Sequence, residues 1–87
     1  MKTVNYHHTS QHGYLAVPCE LILKAGIQEN ISGYSYMSVS GRTVYLEEDC
    51  DAGLFADACK AKGIDYQLVH ILPSKLNLNR LQGYLWK

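Results

Sequence analysis

Thr43-Val44-Tyr45-Leu46-Glu47-Glu48-Asp49-Cys50-Asp51-Ala52-Gly53-Leu54-Phe55 is the stretch on which the fold turns. Its first five residues are β-branched, aromatic or apolar in alternation, so Val44 and Leu46 point one way while Thr43, Tyr45 and Glu47 point the other. The acids that follow end the strand. An aspartate, Asp49 or Asp51, is placed to cap a helix that runs to about Lys62, because its oxygen can accept the free N–H groups of the first turn. Leu54, Phe55, Ala58 and Cys59 recur at helical spacing and make one apolar stripe. Lys60 and Lys62 complement the negative end of the helix dipole, and Gly63 stops the helix. Gly53 lies inside the first turns and costs about 1 kcal/mol relative to alanine, so this helix depends on packing.

Upstream, Ile31 to Val39 reads as a strand with Tyr34 and Tyr36 on one face, turning at Ser38 to Gly41 into the strand above. Pro18 opens a short helix whose Leu21, Ile22 and Ala25 share a face and which Gly26 ends. Before it lies a strand around Val4 to His7, or at Gly13 to Val17, or both with a bend at Ser10 to Gly13. Downstream, Asp65 to Leu72 is a strand with Val69 and Ile71 inward, and Pro73 ends it. Residues 73–87 admit a helical turn, an edge strand or a wrapped tail. The expected fold is therefore α+β: a four-stranded antiparallel sheet, two short helices on one face, in the β-α-β-β-α-β ferredoxin-like order.

The chain has 87 residues, which fits a single domain spanning 1–87. Apolar residues make up 47%, enough for a packed core. Eight basic and eight acidic residues cancel, which disfavours a nucleic-acid partner. No apolar run is long enough to span a membrane, and no signal-peptide pattern is present, so no membrane partner and a cytoplasmic location are expected. Cys19, Cys50 and Cys59 are odd in number and lack zinc-binding spacing, which points to free thiols.

Three groups of residues carry candidate chemistry. His7, His8 and His12 lie in a turn-like stretch without cysteine partners, so no metal site and no cofactor are expected. Glu47, Glu48, Asp49 and Asp51 are either a helix-capping cluster or an acidic recognition patch. The same acids should push up the Cys50 thiol, which disfavours a catalytic cysteine. Tyr34, Tyr36 and Tyr45 form either an aromatic binding platform or a sheet face covered by the tail, with Leu81, Tyr84 and Trp86 over the rings. No nucleophile–base pair emerges, so no catalytic residue is assigned and no enzyme activity is expected.

The blocks His12 to Pro18, Ile31 to Met37 and Val44 to Phe55 together resemble a family of small bacteriophage, prophage and plasmid proteins. The resemblance covers roughly residues 7 to 70. Asn79 to Tyr84 is similar to a looser form of the family's tail, and Ser38-Val39-Ser40 lengthens the hairpin turn. The family has no assigned enzyme activity. The resemblance implies an accessory protein that binds and inhibits a host macromolecule, such as an antiviral defence complex, in an anti-CRISPR-like manner. Its contact residues would be the acids Glu47, Glu48, Asp49 and Asp51 with Tyr34, Tyr36 and Tyr45. The alternative is a binder or sponge for a nucleotide signal, held by His12, Tyr14 and Arg80; an enzyme ranks third.

Overall fold

A computed structural model describes residues 2–10, 12–72 and 74–85. Strand β1 (Lys2–His8) and strand β2 (Gly13–Pro18) form an antiparallel hairpin. Thr9 closes its turn: the backbone N–H bonds the His12 carbonyl at 3.0 Å, and the hydroxyl bonds the same carbonyl. Helix α1 (Cys19–Ala25) follows directly, with Pro18 at its N-cap, one position before the expected one. Strand β3 (Tyr36–Met37) and strand β4 (Thr43–Glu47) make a second hairpin through the Ser38 to Gly41 turn. Helix α2 (Ala52–Lys62), strand β5 (Tyr66–Ile71), a 3-10 turn (Leu78–Arg80) and strand β6 (Gln82–Gly83) complete the chain. Gly26 and Gly63 end their helices in the left-handed conformation, φ 73° and 65°.

The class is α+β with two helices, as expected, but the sheet is six-stranded and mixed, in the order β5-β1-β2-β4-β3-β6. This corrects the four-stranded antiparallel, ferredoxin-like expectation. Two strands precede α1, and β5 returns parallel to β1, pairing Val4 with Leu68 and Tyr6 with His70.

Alternation sorts the side chains into two faces. Val4 of β1, Leu15 and Val17 of β2, and Val44 and Leu46 of β4 point at the helices. There they meet Leu21, Ile22 and Ala25 of α1 and Phe55 and Cys59 of α2 in one core cluster. Both helices therefore cover the same sheet face. On β5 the helix-facing residues are Tyr66, Leu68 and His70, so Val69 and Ile71 are half-buried on the opposite face, not in the helix-side core.

That opposite face carries His7, Tyr14, Ala16, Tyr36 and Tyr45. The tail runs across it from one sheet edge to the other. Ser74 donates its N–H to the His8 carbonyl at 3.1 Å, and its hydroxyl lies 2.9 Å from His7 Nδ1. At the far edge β6 pairs with β3, and the Tyr84 hydroxyl donates to the Gln28 carbonyl at 2.5 Å. The tail thus combines a 3-10 turn with an edge strand. Pro73 as strand stop and Trp86 as ring cover lie outside the described residues.

Candidate functional site

The acidic run does not act as one patch, because the sheet divides it. Glu47 is the last residue of β4 and faces away from the helices, opposite Tyr14 in the pairing register. Glu48 turns to the helix side, where one carboxylate oxygen accepts from the Tyr6 hydroxyl at 2.6 Å. Gly13 lies directly beneath this bond. A Cβ there would sit 2.6 Å from the Tyr6 ring edge and 2.7 Å from the Glu48 carboxylate, so only glycine leaves room for it. The bond also shifts both groups. Burial first, then Glu48, pushes the Tyr6 phenol up to about 12. The Tyr6 hydroxyl is the main reason that Glu48 falls below its ordinary value.

Asp51 occupies the N-cap of α2 but makes no side-chain capping bond. Its carboxylate reaches instead into the loop before β3. Ser32 donates its N–H to both oxygens at 3.1 Å and its hydroxyl at 2.7 Å. Ser35 donates its hydroxyl to the same carboxylate and accepts the Glu47 N–H at 3.1 Å. Asp51 is only 3% exposed. This tether explains why Ile31 to Ser35 is a loop and not the strand that its alternation suggests. The Ser32 N–H is committed to a side chain, so it cannot join a ladder. The expected strand shrinks to Tyr36–Met37, and Tyr34 leaves the sheet for a turn, 71% exposed.

Glu47, Asp49, Cys50, His12 and the rings of Tyr14, Tyr34 and Tyr36 come together instead around an open cavity of about 530 Å³. Leu78 of the tail borders it. Tyr14 and Tyr36 meet edge to face at 5.9 Å, the arrangement their ring quadrupoles favour. Burial raises the Tyr14 phenol, with Tyr36 second, so it stays a hydroxyl donor at neutral pH. The Cys50 thiol is pushed up, first by its hydrogen bond to Glu47, then by desolvation and by the surrounding acids. It is therefore a poor nucleophile.

The cavity joins residues that the sequence reading had divided between two hypotheses. Glu47, Asp49, Tyr34 and Tyr36 belonged to the partner contact, His12 and Tyr14 to the small-ligand site. Glu48 and Asp51 stand apart from the lining, engaged by Tyr6 and by the serines. Tyr45 lies farther along the face, its ring 6.1 Å from that of His7. Arg80 is exposed on the 3-10 turn, and among the described residues no ion pair ties it to the acids.

The three N-terminal histidines are separated by the same alternation. His7 faces the tail, and burial lowers it. His8 is on the helix side, its Nε2 2.8 Å from Nδ1 of His70. His12, Glu48 and Asp49, all exposed, bring their ligand atoms within 4.8 Å of one another. These are residue types that can share a cation, a grouping that separate treatment of histidines and acids missed. Cys59 is buried, Cys19 half-buried and Cys50 exposed, all free. No helix among the described residues is long and apolar enough to cross a membrane.

Scans of protein-family models, curated proteins and solved structures each find no match to this chain.

Proposed function

We propose that the protein is a binding module whose contact surface is the acidic and tyrosine-lined cavity at the β2–β4 end of the sheet, and that its partner is a host macromolecule with a basic surface. One observation carries this: Glu47, Asp49, Tyr34 and Tyr36, spread over the sequence, line a single cavity. Carboxylates give such a surface its charge preference, and tyrosines give contact area at low entropic cost. The inhibitory role against host defence that the phage-family resemblance implies would be exercised through this surface. The cavity's acids weigh against the alternative of a nucleotide signal, whose phosphates they would repel.

The test uses Asp49→Lys and Tyr34→Ala, both exposed positions whose side chains hold no part of the core. Both variants should melt within about 0.5 kcal/mol of wild type. Each should recover less of the partners that wild type retains from a bacterial lysate, and Asp49→Lys should lose most at low salt. Unchanged recovery by both variants removes the cavity from the contact. Glu47 is unsuited to charge reversal, because its side chain is only 9% exposed.

A further inference from the structure

We infer that the group entering the cavity is the guanidinium of an arginine side chain displayed by the partner. This rests on the binding reading above and names the chemistry it selects. The floor of the site is a buried carboxylate, a group with about four acceptor positions of which its protein donors fill only some. Glu47 is 9% exposed at its side chain. One oxygen, Oε2, accepts the Asp49 N–H at 3.1 Å. The other, Oε1, faces His12 Nδ1 at 3.6 Å, an ion-pair approach longer than a hydrogen bond, and the Cys50 thiol also bonds the carboxylate. A carboxylate withdrawn from water is costly unless a cation with hydrogen-bond donors meets it.

The walls choose among cations. Tyr34 and Tyr36 offer aromatic surface, with the buried Tyr14 ring packed edge to face on Tyr36, and Leu78 offers an apolar edge for an aliphatic stem. A guanidinium is planar and weakly hydrated, presents paired N–H donors to a carboxylate, and stacks on aromatic faces. An ammonium is strongly hydrated and gives up more on entering such walls. Asp49, exposed beside the cavity, supplies a second carboxylate to an arriving cation. A volume of about 530 Å³ is ample for one side chain.

The experiment is an amide NMR titration of the full chain with N-acetyl-arginine amide, its lysine counterpart, and the neutral isostere N-acetyl-citrulline amide. The arginine compound should shift Gly33, Tyr34, Asp49 and Cys50 saturably in the millimolar range. Lysine should bind several-fold more weakly, and citrulline at least about tenfold more weakly. Asp49→Asn should weaken arginine several-fold. Glu47→Gln, which keeps the acceptor for the Asp49 N–H, should abolish the preference over citrulline. Equal response to arginine and citrulline overturns the proposal, as does the absence of cavity shifts with arginine on the order of tens of millimolar. If Asp49→Lys and Tyr34→Ala lose partner recovery while arginine is silent, the binding surface stands and the arginine assignment fails. If arginine saturates the cavity but neither variant alters recovery, the cavity selects a guanidinium but not the partner's, and both the partner contact and this proposal fail.

Discussion

Asp51 illustrates how one side chain determines the shape of a neighbouring segment. As a helix cap it would be replaceable by serine or asparagine with little loss. Holding Ser32 and Ser35 while only 3% exposed, it is not. Asp51→Ala leaves buried donors without an acceptor and should cost about 2–4 kcal/mol, measured by urea unfolding. It should also broaden the amide signals of Gly33 and Tyr34, which the serines flank. A cost near 0.5 kcal/mol would mean that the loop holds itself. The Tyr6–Glu48 bond makes a different prediction, on pH. The folded Glu48 value is lowered, so its contribution is present above the unfolded carboxylate value and is lost as pH falls through the folded one. The folded Tyr6 value is raised to about 12, so its contribution is complete below the ordinary 10.0 and is lost as pH rises through about 12. Tyr6→Phe should therefore flatten the stability–pH curve at both ends. A curve parallel to wild type from acid to alkali would show that the bond contributes nothing.

Single elements respond to what lies beside them. In α2, Gly53 is exposed, and a Cβ there would meet nothing within 4 Å. Gly53→Ala should stabilise the protein by about 0.5–1 kcal/mol, seen as a raised melting temperature, because the backbone loses less freedom on folding. At the start of β2 the same change has the opposite sign. Gly13→Ala pushes a Cβ against the Tyr6 ring and the Glu48 carboxylate, and should destabilise by about 1–3 kcal/mol. A double-mutant cycle with Glu48→Gln should show coupling between the two positions. Additivity would mean that Tyr6 swings clear without loss. The short β3 follows the same logic, since its expected length was taken over by the loop bound to Asp51.

For the molecule as a whole, the tail decides whether the second sheet face is surface or interior. Tyr14 is only 3% exposed and Ala16 only 9%, although both point away from the helices. A chain stopped after Leu81 lacks β6, the Tyr84 N–H bond to the Ser35 carbonyl and the Tyr84 hydroxyl bond to the Gln28 carbonyl. Losing these should cost about 2 kcal/mol, or roughly 10 °C in melting temperature for a domain of this size. Tyr84→Phe isolates the hydroxyl and should account for about 1 kcal/mol of that. A truncated chain that melts like wild type would show that the tail merely rests on the sheet.

Local sequence by itself determined the two helices, their glycine stops, their core-facing stripes, and the alternation of Thr43 to Glu47. Each of these depends on periodicity or backbone chemistry within a few residues, and each appears within one residue of the expected positions. Acids beside tyrosines were legible as a cluster of types, not as a place. Tertiary structure alone decided that β5 returns parallel to β1, because parallel pairing joins segments about sixty residues apart and leaves no local signature. It alone turned Asp51 inward and Glu48 toward Tyr6, leaving Glu47 and Asp49 at the cavity. The direction of a carboxylate depends on which distant donors the fold brings within hydrogen-bonding distance, here Ser32, Ser35 and Tyr6.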